Sequence, residues 1–334
     1  MAKDNMSVRS KITKFIRLYG GPMYPILKKY RHNQIVKRLK ANEKIVKYGD
    51  KNPDKIFYIC KRDLPREGLM SYTNNFLGHI VYAVEQGYIP VVDMKNFKNT
   101  YLEPEDIGKK NAWELFYKQP TEFSLEEAYE SQNVIISNGQ PSPFRLVDED
   151  SNMLEEWHEY WHKYIHFTEE TENIINQEYK KIINKEDVVL GVNIRGTDYV
   201  SLQQPGLPIQ PKVEELMIEA RKWMEKYKCN KIFLCCEDQL IVDQFRSEFK
   251  NKLVTNERKF YRKTTGDEPV TDITFERAND RYLRGIEYLT TIGILSKCDY
   301  LLGGLSGATL SAQLIRPLGK PYKDMYIYKL GHIK

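Results

Sequence analysis

The chain has 334 residues, of which 41% are hydrophobic and 12% aromatic; it carries 51 Lys/Arg against 46 Asp/Glu. That length holds two domains, and that composition excludes a disordered polymer. The net charge of +5 is uneven: residues 1–50 carry 13 Lys/Arg against 3 acids, so the remainder sums to −5, which excludes a basic nucleic-acid-binding body.

No apolar run approaches the roughly 18–20 residues that cross a bilayer, and the N-terminus has no signal-peptide core. A cytoplasmic protein is the expectation. The five cysteines, at 60, 229, 235, 236 and 298, show no CxxC spacing and fall mostly in apolar stretches. Reduced, buried thiols suit them better than a disulfide framework or a zinc site.

Residues 1–50 form a basic extension. Ile12, Phe15, Ile16 and Tyr19 recur at helical spacing with Lys11, Lys14 and Arg17 between them. Such a helix lies on an anionic membrane surface or packs as a solvated arm. Residues 55–60 (KIFYIC) read as a first strand. The loop KRDLPREGLMSYTNN follows, then a helix over 76–87 and a strand over 89–94 that contains Asp93. This is a βαβ unit. Glu67, Gly68, Ser71, Asn74 and Asn75 place polar groups in its loop, where α/β folds meet ligands; helix capping and solvation are their plainer uses.

Residues 95–132 are polar and aromatic and read as an insertion with short helices; 133–138 is another strand. Asp148, Glu149 and Asp150 then form an acidic triplet of the kind that holds Mg²⁺ or Mn²⁺ beside a diphosphate. Helices follow over 153–165 and 169–183, with Thr168 as N-cap of the second. His158, His162 and His166 recur every four residues. An exposed or interdomain aromatic helix explains them better than zinc, because the HExxH glutamate is missing.

The second half alternates strand and helix. VVLGVNI (188–194) is a near-continuous apolar run, the pattern of a strand buried on both faces. Arg195, Gly196, Thr197, Asp198 and Tyr199 follow at its carboxyl end, where ligands bind. Later come a helix over 211–227, the strand 231–236 ended by Glu237 and Asp238, a helix over 240–249 and a short strand, KLVT. A long charged loop, 256–280, leads to a helix over 282–298 and the strand 299–304. Ser306, Gly307, Ala308 and Thr309 then open another helix. No GxGxxG follows the first strand, which excludes a dinucleotide fingerprint. A cation, an acid and a helix N-terminus at three strand ends outline a nucleotide-diphosphate site.

With those motifs in place, the second half resembles the fucosyltransferase superfamily of GT-B architecture. GVNIRGTDY resembles its first motif, GVHxRRxD. IFLCCED resembles its second. The run from YLRGIEYLTTIGILSKCDYLLGG to LSGATLSAQL resembles its third. More loosely, EGLMSYTNNFLGHIVYAVEQGYIPVV is similar to the first βαβ of the N-terminal domain. The resemblance implies an α/β fold of two Rossmann-like domains facing across a cleft: residues 51–185 on the acceptor side and 186–334 on the donor side, after the extension 1–50.

By the same resemblance, Arg195 holds the GDP β-phosphate, Glu237 reads guanine with Asp238 beside it, and Ser306 lies near the phosphates. Glu67 matches an acid that acts on the acceptor hydroxyl, and Asp93 is an alternative base. Asn193 stands where the family has His, and Gly196 where it has a second Arg; the second change bears on the sugar more than on the GDP. The implied activity is an inverting transfer from GDP-fucose to a glycan or lipid-linked glycan at the inner face of the membrane, without cofactor or metal. The alternatives are a metal-dependent glycosyltransferase using Asp148 and Asp150, and a non-catalytic nucleotide- or glycan-binding protein.

Overall fold

The structure, a computed structural model, describes residues 23–137, 142, 151–196, 205–262 and 272–333. Helix α1 (Met23–Asn42) comes first. It is fastened to the body by buried Leu39 and by His32, whose ring lies 3.3 Å from Glu85. The first α/β unit comprises β1 (Phe57–Lys61), α2 (Leu69–Glu85), β2 (Ile89–Asp93), α3 (Leu125–Tyr129) and β3 (Val134–Ile136). Its parallel strands lie in the order β2-β1-β3.

Helix α2 starts at Leu69, not at Phe76 as the sequence suggested. Leu69, Met70, Tyr72, Thr73, Phe76 and Leu77 are all buried, so the apolar stripe begins directly after the extended N-cap residue Gly68. Ser71, Asn74 and Asn75 therefore occupy the first two turns of a helix, and the expected acceptor-side loop is shorter. Polar residues between the apolar ones had made those turns look like a loop.

Helices α4 (Ser151–Tyr164) and α5 (Glu169–Ile182) lead to the second unit. It comprises β4 (Val189–Asn193), α6 (Val213–Tyr227), β5 (Lys231–Cys235), α7 (Gln239–Phe249), β6 (Leu253–Val254), α8 (Asp280–Leu295), β7 (Tyr300–Gly304), α9 (Gly307–Ile315) and β8 (Asp324–Tyr328). The five parallel strands lie in the order β6-β5-β4-β7-β8. The chain builds outward from β4 on one side, then crosses to the other, so the switch point lies between β4 and β7. Edge strand β8 had no sequence signal, because its five residues are half-buried or exposed rather than alternating.

Alternate residues of each sheet divide between two faces. Leu190, Val192, Ile194, Ile232, Leu234 and Cys236 pack with α6 and α7 on the outer face. Val189, Phe233, Cys235 and Leu301 face inward into one core that continues through α8, α9, α5, α4 and α2 to Tyr58, Cys60 and Ile135 of the first sheet. The two Rossmann-like units are thus joined through a shared helical layer. At its edge Arg281 of α8 lies 3.2 Å from Glu103, and Tyr282 stacks on Phe116 with ring centroids 5.7 Å apart. The aromatic insertion is the plate on which the second unit seats.

Candidate functional site

Asn193 is in register with Cys235 on one side and Gly303 on the other, so β5, β4 and β7 end level. Continuing the alternation, Asn193, Arg195, Cys235 and Glu237 belong to the inward face, toward the first unit. Arg195, Glu237 and Ser306 therefore come to one edge of one sheet.

The Arg195 Nε lies 3.4 Å from Glu237 Oε1, with side-chain exposures of 20% and 7%. The same carboxylate oxygen accepts the Gly196 N–H at 3.1 Å. The Glu237 carboxylate, expected to meet a guanine base, is turned onto the end of β4 and lies beside the Arg195 guanidinium. Asp238 is placed as the N-cap of α7, its Oδ1 accepting from Leu240 N at 2.8 Å and Ile241 N at 3.4 Å. That capping explains the acid in local terms.

Ser306 and Thr309 form a capping box at the start of α9. Thr309 N donates to Ser306 Oγ at 3.3 Å, and Ser306 N to Thr309 Oγ1 at 2.9 Å. Asn193 Nδ2 donates to the same Ser306 oxygen at 3.0 Å, tying the end of β4 to the cap. Ala308 is buried behind the cap, whereas Gly307 is exposed and a Cβ built on it would meet nothing within 4 Å. The positive end of the α9 dipole thus opens to space beside Arg195's strand.

One residue of this edge had escaped the sequence reading. Gln210 lies across the switch point: its Oε1 accepts the Arg195 N–H at 3.4 Å, and its Nε2 donates to Leu305 O at 2.8 Å. A side chain at Gly304 would strike Gln210 Oε1, so that glycine makes room for it. The preceding residues are held by the C-terminal segment, through Gly206 N to Ile333 O at 2.8 Å and Ile209 N to Gly331 O at 2.9 Å. No local pattern marks Gln210, because its partners lie far along the chain.

On the first unit, Glu67 is gripped by Arg62 in a two-bond fork, Nε to Oε2 at 2.7 Å and Nη2 to Oε1 at 2.6 Å. Ser71 Oγ adds a bond of 3.2 Å. The Thr100 hydroxyl donates to Glu67 O at 3.0 Å, while Arg281 of α8 donates to Thr100 O at 3.4 Å. Arg66 lies 3.3 Å from Asp272. The Glu67 loop is therefore strapped to the second unit. Gly68 is open around its Cα, and Asn74 Oδ1 is buried with no partner among the described residues. The Asn75 carbonyl accepts from Ser142 Oγ at 3.3 Å.

Asp93 is corrected from a candidate base to a structural carboxylate. Its side chain is 0% exposed and accepts from Lys95 N at 2.8 Å, Asn96 N at 3.0 Å, Asn96 Nδ2 at 3.1 Å and Tyr129 Oη at 2.8 Å. It closes the turn after β2, and an acceptor hydroxyl has no path to it.

Asp198, Thr197 and Tyr199 lie outside the described residues, as do Asp148, Glu149, Asp150 and residues 1–22. Among the described residues no three His, Cys, Asp or Glu side chains converge as a metal site. His158 and His162 both hydrogen-bond the Arg316 carbonyl, at 2.6 and 2.8 Å, and so fasten α4 to the end of α9. The five cysteines are free and buried. No described helix is long and apolar enough to cross a membrane. A cavity of about 300 Å³ opens among Tyr101, Glu103, Glu170, Asn279 and Tyr282, away from the ends of β4, β5 and β7.

No protein-family model matches the sequence, and no curated protein matches it. Among solved structures, fucosyltransferase NodZ from Bradyrhizobium is similar in fold, with a TM-score of 0.49 at 15% identity over 79% of this chain and 93% of that one. NodZ alpha-1,6-fucosyltransferase soaked with GDP-fucose gives 0.48 at 16% identity over 79% and 94%. POFUT1 in complex with GDP gives 0.49 at 10% identity over 84% and 100%. Identities this low carry no residue roles.

Proposed function

We propose that this chain is an inverting glycosyltransferase that moves a sugar, fucose first, from a GDP-sugar to a hydroxyl of a glycan. The carrying observation is Arg195, held by Glu237 at the end of β4, on the inward face and level with the N-terminus of α9. A guanidinium and a helix N-terminus at one strand edge suit a diphosphate leaving group.

In this scheme the donor diphosphate lies along the ends of β4 and β7. The acceptor hydroxyl, oriented beside Glu67, attacks the anomeric carbon from the opposite side, and the C–O bond to the β-phosphate breaks. Glu67 takes the hydroxyl proton; an acceptor reaches its Oε2 by replacing the Ser71 bond of 3.2 Å. Charge grows on the departing GDP and is met by Arg195 and the first-turn N–H groups at Gly307 and Ala308. Those groups do electrostatic work that a divalent cation does in other transferases. Asn193, Ser306 and Thr309 keep that helix start against β4, and Gln210 must yield or serve as a ligand where the phosphates enter. Asp198 follows Arg195 by three positions in the sequence and is a further candidate for donor contact.

The basic segment 1–50, with six Lys/Arg and no acid in α1, suits an anionic membrane surface carrying a lipid-linked acceptor. GDP-fucose is the donor to test first. Release of GDP with inversion at the anomeric carbon, lost in Arg195→Ala, supports the assignment. Wild-type turnover in that variant sinks it. Loss of activity in EDTA would shift the reading to a metal held by Asp148 and Asp150, and binding without turnover to a nucleotide- or glycan-binding protein.

A further inference from the structure

The segment after β6 carries a cation that the scheme above leaves unused. Leu253 and Val254 pair with Ile232 and Phe233 of β5, and further on Tyr261 bridges Asp238. Tyr261 N donates to Glu237 O at 2.8 Å, and Gln239 N to Tyr261 O at 2.8 Å. Arg258 lies between those two anchors, beside the end of β5. Its Nη1 donates to Thr291 Oγ1 of α8 at 3.3 Å and its Nε to Lys259 O at 3.4 Å. The guanidinium carbon lies 5.7 Å from the Phe260 ring centroid.

Helix α8 packs against the inward face of the sheet, the face that bears Cys235, Arg195 and Glu237. Arg258 therefore shares their side of the molecule. Burial pushes the Cys235 thiol up to about 12, while Arg258 pulls it down, Glu237 pushes it up and Arg195 pulls it down. Both guanidinium groups therefore act on the one strand end that carries Cys235.

Arg258 also lacks what its neighbours have. Arg195 pairs with Glu237, Arg277 with Asp280 and Glu287, and Arg284 with Asp280. Arg258 is partly buried and has no carboxylate partner among the described residues. A guanidinium with no carboxylate beside it is open to an anionic ligand. The resembled motif has two adjacent arginines, but position 196 has no room for the second: a Cβ there would stand 2.7 Å from Asp238 Cβ and 2.8 Å from Ile241 Cδ1.

Resting on the nucleotide-sugar reading, we propose that Arg258 is the second phosphate-facing cation of the donor site, supplying from the segment beside β5 the charge that Gly196 cannot carry. Its ligand is the diphosphate of a nucleoside diphosphate sugar, approached from the β5 side while Arg195 meets it at the end of β4.

The test is calorimetry of wild type, Arg258→Ala and Arg258→Lys with GDP, GMP and inorganic pyrophosphate, with thermal unfolding to confirm the fold. Arg258→Ala is expected to weaken GDP and pyrophosphate about 10- to 100-fold and GMP much less, with Arg258→Lys in between. Unchanged GDP affinity in Arg258→Ala, or equal losses for GDP and GMP, overturns the assignment. If wild type binds pyrophosphate through Arg258 but not GDP, the guanine nucleotide reading falls and the anion site stands. If wild type binds neither, both fall.

Discussion

Gly196 and Asp238 approach so closely that a Cβ added to Gly196 would stand 2.7 Å from both Asp238 Cβ and Oδ2. Asp238 cannot move away without releasing the Leu240 and Ile241 N–H groups that it caps. Gly196→Arg, which rebuilds the paired arginines of the resembled motif, is therefore expected to destabilise the protein by about 1–3 kcal/mol rather than improve turnover. Urea unfolding reads the first effect and kcat the second. A stable, faster Gly196→Arg enzyme would show that the contact yields.

Glu237 Oε1 lies 3.4 Å from Arg195 Nε, so the two substitutions are not expected to add. Arg195→Ala is expected to lower kcat about 10²- to 10³-fold, and Glu237→Gln less. The double variant should resemble Arg195→Ala, with a coupling of about 0.5–3 kcal/mol. Strict additivity would mean that Glu237 has its own contact with the donor.

The two acids of the first unit separate by readout. Asp93→Asn replaces one acceptor of a buried, fully bonded carboxylate and should cost about 1–3 kcal/mol in stability while leaving kcat per folded molecule near wild type. Glu67→Gln should lower kcat about 10²- to 10⁴-fold with a smaller effect on unfolding. Reversed results would exchange their roles.

His162 gives the fold an acid sensitivity. Burial holds its ring below the ordinary value of 6.5, the bond to the Arg316 carbonyl opposes that, and His158 and His166 add to it. The folded state thus prefers the neutral ring, and the unfolded chain binds the proton first. The contribution is whole above pH 6.5 and is lost as pH falls below it, down to the folded-state value. His162→Gln, which keeps a donor for Arg316, should flatten part of this decline in urea midpoints measured at about pH 7.5 and 5.5. An unchanged slope would assign the acid sensitivity elsewhere.

Helix α1 exposes Ile26 and Tyr30 among Lys29, Lys37 and Lys40. Binding to phosphatidylglycerol vesicles, weaker in high salt and absent on phosphatidylcholine, is expected. Lys29→Glu with Lys37→Glu should reduce it by more than tenfold, at about 1 kcal/mol for each charge near the surface. Equal binding to neutral vesicles would point away from charge.

Local pattern was enough for the strand–helix order of the second half. VVLGVNI is apolar on both faces, the pattern of a parallel strand covered on both sides. Because parallel strands share a carboxyl edge, that order also places Arg195, Glu237 and Ser306 together. What each side chain does there was decided by contacts between distant segments. Ser71 joined a helix because Leu69 and Met70 found a core, and Asp93 was enclosed by Asn96 and Tyr129. Gln210 entered the switch point because residues 331–333 hold its loop, and Gly196 yielded its side chain to Asp238. Periodicity reports which face of an element meets the core; it carries no information about which remote residue arrives on the other side.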